Sequence, residues 1–370
     1  MDFTLTPAQD ELGALAGQIL TDRVTPDLLR ELDGSSTRFD PQLWAELARA
    51  GVLAAALPAN AGGDGLGLLE QCSVLIAIGR TVAPAPYLAS IVLGASAVAL
   101  FGTADQRERW AAPAGRGEIV LTAALAEDET DDLAAPLTTA REVDGGWLLT
   151  GTKTTVLAGA EADALLVPAS TPSGAGVFVV GRDDTGLSVQ PQQVTGGDGT
   201  ARVTLSGAFV PADRLVGGTT GSGVAGWLAG RATIGLCALQ LGVAERALEL
   251  TAAYARSREQ FGKPIGSFQA VSQRLADGYI DVEAMRLTLW QAAWRLAEGL
   301  PAETELATAK FWAAEGGHRL AHTAVHVHGG VGIDTDGEVH RYYVAAKHNE
   351  FALGGATAQL RRIGAVLAAG

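Results

Sequence analysis

YARSREQFGKPIGSFQAVSQRLAD, residues 254–277, is the stretch on which the reading of this 370-residue chain turns. A helix of small and aliphatic residues runs into Arg258-Glu259-Gln260-Phe261-Gly262-Lys263-Pro264-Ile265, and a second helix is expected from near Ser267. One short turn then gathers a cation, Arg258, an aromatic ring, Phe261, and an amide, Gln269. That set suits a nucleotide: a guanidinium for diphosphate, an apolar face for a ring, an amide for polar edges. The same letters also fit an ordinary helix–Gly–Pro–helix corner, because Gly and Pro stop helices everywhere.

Composition narrows the function classes. Hydrophobic residues make up 48% and charged residues 18%, the profile of a globular chain with a sizeable core. A net charge of −14 argues against nucleic acid or an anionic membrane as partner, since both need a basic surface. It would also repel a diphosphate, so such a site needs local cations, and Arg256, Arg258 and Lys263 supply a cluster. The two cysteines, Cys72 and Cys237, fit no metal spacing and no disulfide framework, which points to a reducing cytoplasm. The N-terminus lacks a basic n-region and an apolar h-region, so no signal peptide is expected. Apolar runs such as 52–58 and 91–101 are too short, or too rich in Ala and Gly, to span a bilayer.

Three segments follow one another. Residues 1–120 read as helical. Thr6-Pro7 opens the first helix, Asp40 caps another with Pro41 at its first position, 61–67 is a Gly-rich loop, and helices are expected around 68–80 and 86–102. Residues 121–217 carry most of the short β-branched runs, at 119–124, 146–151, 164–167, 177–180, 188–190 and 201–205, the pattern of a small antiparallel barrel or sandwich. Residues 218–370 return to helical periodicity over 225–256, 267–298, 303–324 and 341–368.

Helices, a β block, then a four-helix bundle is the domain order of the acyl-CoA dehydrogenases. The 254–277 motif resembles that family's signature almost letter for letter. Gly145-Gly146-Trp147-Leu148-Leu149-Thr150-Gly151-Thr152-Lys153 and His326-Val327-His328-Gly329-Gly330-Val331-Gly332 are further matches, weak alone and specific in the context of the first motif. The resemblance covers nearly the whole chain and implies an α+β acyl-CoA dehydrogenase fold and FAD. It also implies α,β-desaturation of an acyl-CoA and an electron-transfer flavoprotein as electron acceptor. In such enzymes the Arg, Phe and Gln of the motif and the Gly-rich loop hold the ADP end of a neighbouring subunit's flavin. Here these are Arg258, Phe261, Gln269, His326, Gly329 and Gly330, with His326 standing where the family usually has Gln.

Other family elements depart. A Thr-Glu-Pro-x-x-Gly-Ser-Asp loop is replaced by Ala126-Glu127-Asp128-Glu129-Thr130-Asp131-Asp132, five of whose last six residues are acidic and expected to repel phosphate. A Trp-Ile-Thr-Asn segment is replaced by Thr155-Val156-Leu157-Ala158, which removes the aromatic wall and hydroxyl that would meet a flavin ring. Neither site that the family uses for its glutamate base holds one. Trp227–Leu236 reads WLAGRATIGL, with Gly230 or Ala232 as counterpart, and the turn before the last helix reads Ala352-Leu353-Gly354-Gly355-Ala356-Thr357. Glu350 is the only carboxylate near the second site, about one turn early.

What a subunit uses for itself is altered; what it lends a neighbour is kept. The resemblance therefore extends to the non-catalytic subunit of α2β2 actinobacterial steroid-CoA dehydrogenases, with a homologous partner carrying the catalytic Glu. The alternatives are a self-sufficient dehydrogenase using Glu350, a non-redox CoA-binding scaffold, or an inactive paralogue. His318, His322 and His326 recur at four-residue spacing, but no Cys or well-placed carboxylate completes a zinc set, and no metal is expected. Trp290, Trp294 and Trp312 read as bundle packing.

Overall fold

The computed structural model describes residues 6–33, 38–196 and 199–369. Two compact units divide them: one draws on 1–26, 72–83 and 233–370, the other on 27–71 and 84–232.

In the second unit, Asp40 caps the Pro41–Arg49 helix as the sequence predicts, accepting from the Gln42 N–H with Pro41 in the first turn. The Leu88–Phe101 helix is fully buried over its first eight residues, which wind as a π-helix. A further helical run at 104–115 lies outside the expected set. Its start is a reciprocal capping box between Thr103 and Gln106.

The strands are β1 (Leu121–Ala123), β2 (Thr139–Val143), β3 (Gly146–Leu157), β4 (Ala164–Thr171), β5 (Gly174–Gly181), β6 (Leu187–Gln192), β7 (Thr200–Pro211) and β8 (Leu215–Val216). They form one sheet in the order β6-β7-β3-β2-β4-β5-β8, antiparallel except where β2 meets β4, with β1 added in parallel on β4. The sheet curls over its own core. Trp147 on β3 and Phe178 on β5 meet at 5.3 Å although β2 and β4 stand between their strands. Leu149, Leu165, Phe178, Val203 and Val210 fill the interior. Strand β2 is another element beyond the expected set. It reads Thr-Ala-Arg-Glu-Val, too polar for a strand alone, and the Asp144-Gly145 turn pairs it with β3, Gly145 at φ 75°. Two register shifts bend β3, after Leu149 and after Lys153.

In the first unit, helices Leu68–Thr81 and Val224–Ser257 cross so closely that a Cβ on Gly79 would lie 2.1 Å from the Leu239 carbonyl oxygen, and one on Gly242 2.1 Å from that of Ile76. Only glycine permits this backbone contact. Helices Gln269–Ala297 and Glu303–His328 follow. The single last helix expected at 341–368 is two, Val339–Phe351 and Ala356–Ala369, broken where Leu353 (φ 58°) and Gly354 (φ 95°) turn left-handed. Five helices therefore stand where four were expected. Fully buried Lys310 donates to the Asn349 and Glu350 carbonyls at the break, satisfying carbonyls orphaned by the helix end. The Tyr342 hydroxyl donates to the Arg80 carbonyl (2.7 Å), and Val243, Ala247, Ala321 and Ala346 pack around it. Helix Val224–Ser257 is long and apolar enough to cross a membrane, yet about two-thirds of its apolar window is buried inside the protein.

Candidate cofactor-binding site

The signature stretch folds as a hairpin and not as a helix corner. Glu259-Gln260 pairs with Lys263-Pro264 across a two-residue tip in which Phe261 (φ 54°) and Gly262 (φ 74°) are both left-handed. Asparagine and glycine usually fill such a turn; phenylalanine there carries a strain of roughly 1–2 kcal/mol. Phe261 is 92% exposed, with the Phe268 ring edge-on to it at 6.1 Å, and Lys263 lies over Phe268 at 4.5 Å. Arg258, anchored through its backbone N–H to the Tyr254 carbonyl, is exposed and has no carboxylate partner among the described residues. Gln269 is the exposed first residue of the next helix.

The Gly-rich segment reaches the same corner by a contact that the sequence does not reveal. Tyr254, the first residue of the stretch, stacks on His328 with ring centroids 4.4 Å apart. His328 is buried, and its Nδ1 donates to the Ala324 carbonyl (2.8 Å). Arg258 lies one helical turn beyond Tyr254 and Gly329 directly follows His328, so the stack brings the two motifs together. His326 is exposed. Gly329 (φ 65°) and Gly330 face open space, with no atom within 4 Å of a Cβ built on either. The Gly329 N–H closes the helix on the Val325 carbonyl. A Gly-rich backbone with no Cβ in the way, an exposed guanidinium and an uncovered ring within one corner fit the ADP end of a dinucleotide.

The end of the sheet where a flavin ring would be met is built differently. Glu127 is not part of a repelling surface cluster: its carboxylate turns inward, 2.8 Å from Lys153 Nζ, with both side chains almost wholly buried. It also accepts from the Leu137 and Thr138 N–H groups and the Thr138 hydroxyl. Burial alone would raise the Glu127 carboxyl, but the Lys153 ammonium and these hydrogen bonds hold it below the usual carboxylate range. Burial pushes the Lys153 ammonium down, against the pull of Glu127. Asp128 pairs with Arg202 at 3.0 Å, and Asp132 accepts from the Ala134 N–H. Glu127 and Asp128 are thus neutralised by cations that lie far away in sequence.

The neighbouring backbone donors are occupied too. The Thr154 N–H donates to the Ala126 carbonyl (2.9 Å). The next residue, Thr155, sits in the β3 bulge at φ 46° and donates its N–H to Gln192 Oε1 (2.7 Å). This end of the sheet keeps no aromatic wall and no free amide at 154–155, so the residues present do not fit a flavin ring.

No carboxylate lies within Trp227–Leu236; Trp227 instead packs edge-on against Phe101 (5.5 Å) and under the Arg231 guanidinium (5.0 Å), and Ala232 is buried. Glu350 is held in a polar cluster. Lys347 Nζ lies 2.6 Å from one oxygen and His318 Nδ1 3.1 Å from both, leaving the side chain 13% exposed. The His322 ring lies tilted against that of His318, with centroids 4.4 Å apart. Among the described residues no group of three or more His, Cys, Asp or Glu is placed to hold a metal ion.

Residues 6–118 match the model of the acyl-CoA dehydrogenase N-terminal domain and residues 219–368 that of the C-terminal domain. The chain is 52% identical to acyl-CoA dehydrogenase FadE27 of Mycobacterium tuberculosis, over 100% of this chain and 99% of that one. It superposes on a chain of the ChsE4-ChsE5 complex from Mycobacterium tuberculosis with a TM-score of 0.95 and 54% identity, covering 100% and 99% of the two chains. It superposes on a chain of a Tcur3481-Tcur3483 steroid ACAD variant with a TM-score of 0.92 and 43% identity, covering 98% of each. With both family domains matched and a relative at this identity over its full length, the chain belongs to the FAD-dependent acyl-CoA dehydrogenase family.

Proposed function

We propose that this chain is the non-catalytic subunit of a heteromeric acyl-CoA dehydrogenase, completing the FAD site of a homologous partner that carries the catalytic glutamate. The observation that carries this reading is the contrast between an open nucleotide grip and a closed ring seat in one polypeptide. Bound FAD supplies the hydride acceptor for the desaturation. This chain's part is to hold it. Arg258 would pair with the diphosphate, Phe261 would cover an apolar ring face, the Gln269 amide would meet polar edges, and Gly329 and Gly330 would let the cofactor approach the backbone beside His326 with no Cβ in the way. The assembly is an α2β2 heterotetramer working in the cytoplasm, where the buried thiols of Cys72 and Cys237 stay reduced. Its substrate is an acyl-CoA, a steroid side-chain CoA thioester by analogy with relatives whose own descriptions name a two-chain complex and a steroid ACAD. Electrons leave to an electron-transfer flavoprotein.

The rival reading makes Glu350 the base of a self-sufficient enzyme. It is disfavoured because both oxygens are engaged by Lys347 and His318, whereas a base must reach the substrate's proton. Purification separates the readings. The chain alone is expected to be colourless, and its complex with the homologous subunit to carry about half an equivalent of flavin per chain, one per unlike pair. Yellow, active protein from the single chain would sink the proposal.

A further inference from the structure

The bond between Thr155 and Gln192 closes the chain's own ring seat from within. Gln192 ends β6, paired with Thr200 of β7, whose hydroxyl donates to the Gln192 carbonyl (3.2 Å). From there its side chain crosses to β3. Oε1 accepts the Thr155 N–H at 2.7 Å, and Nε2 faces Thr154 Oγ1 at 3.4 Å. Thr155 lies in a bulge at φ 46°, a conformation costly for a β-branched residue and kept only where its surroundings hold it. The acceptor is a planar amide carbonyl, the same kind of group that the pyrimidine edge of a flavin offers to a backbone N–H.

We infer that Gln192 is a cofactor surrogate: its amide takes the hydrogen bond at Thr155 that a flavin ring would otherwise make, so the β3 bulge stands without flavin and the seat excludes it. The inference deepens the functional reading above and rests on it for the location of the seat. Three observations agree. The Thr154 amide is spent on Ala126, so loop and strand are already tied together. The Glu127 carboxylate is spent on Lys153 and Thr138. No aromatic ring stands in 154–158 to stack on a ligand.

The test compares wild type, Q192A and Q192E, each as the single chain and in the complex with its homologous partner. The complexes are incubated with excess FAD and desalted, and the flavin released on denaturation is counted. The single chains are titrated against riboflavin, which carries the ring without the ADP end, and fluorescence quenching is read. Q192E keeps an acceptor at Thr155 and is expected to match wild type, with about half an equivalent of flavin per chain and no saturable quenching. Q192A frees the amide and is expected to quench riboflavin saturably and to raise flavin in its complex above the wild-type value. Q192A matching wild type on both counts overturns the surrogate role while leaving the functional reading intact. A wild-type complex already holding one flavin per chain overturns the reading beneath it. Should Q192A fail to fold, Q192S takes its place. Amide hydrogen exchange on the flavin-free wild-type chain gives an independent check: protection at Thr155 is expected, and exchange at the unprotected rate overturns the inference.

Discussion

The hairpin corner at 254–269 and the sheet end at 126–192 are the two places that the proposed function assigns to the two ends of a flavin, and they treat their polar groups in opposite ways. At the corner, side chains are left unspent: Arg258 has no carboxylate partner among the described residues and Phe261 is almost fully exposed, while Gly329 and Gly330 leave open space where a Cβ would stand. At the sheet end the corresponding groups have internal partners: Glu127 with Lys153, Thr154 with Ala126, Thr155 with Gln192. Both regions carry a strained residue, Phe261 in one and Thr155 in the other, so what separates them is whether the polar groups are met from within.

The largest expected effect tests whether the sheet end is self-supporting. K153M strands the buried Glu127 carboxylate and is expected to lower stability by about 3–5 kcal/mol, read by urea denaturation of the single chain. A loss below about 1 kcal/mol would mean that the internal pair does not hold this region. Next comes the corner. R258A removes an unspent guanidinium and is expected to weaken flavin retention in the complex by roughly 1.5–3 kcal/mol, about tenfold or more in affinity, with little change in the melting temperature of the single chain. Equal flavin content in R258A and wild type would break the contrast at its open end.

A pH series sharpens the same comparison at Lys310, another cation that the protein spends internally. Burial lowers its ammonium from the ordinary 10.5 to about 8. Between those values the unfolded chain binds a proton that the folded chain lacks, so this group makes stability rise with pH through that window. Below about 8 both states are protonated and the cost of the buried charge is constant, on the order of 3 kcal/mol. K310M is expected to flatten the rise between about pH 8 and 10.5; an unchanged slope would assign it to other groups. The smallest effect belongs to Glu350. E350Q should leave turnover of the complex within about twofold of wild type, since the carboxylate is bound to Lys347 and His318. A rate loss of about a hundredfold would make it the base and end the proposed division of labour.

How much of this is legible in the letters depends on whether the determining contact is local. The Asp40 cap and the helix spans near 68–81 and 225–256 are fixed by neighbours in sequence, and they are readable there. Strand β2 escapes because its polar alternation is stabilised by pairing with β3, although Asp144-Gly145 marks the turn. The break in the last helix is signalled by Gly354-Gly355, but its anchoring by Lys310 comes from 39 residues away. Glu127 reads as surface charge because nothing local says that Lys153 and Thr138 will receive it. Gln192 bonds Thr155 across 37 residues and Tyr254 meets His328 from another helix; no spacing rule encodes either.

The crossing at Gly79 and Gly242 carries a consequence for inheritance. Every single-base replacement of a glycine codon that still encodes a different amino acid adds at least a β-carbon, and at both positions that carbon would land 2.1 Å from a carbonyl oxygen of the opposite helix. Drift can rewrite the hydrophobic residues around that junction through many tolerated swaps, yet at these two codons only synonymous change leaves the helices touching.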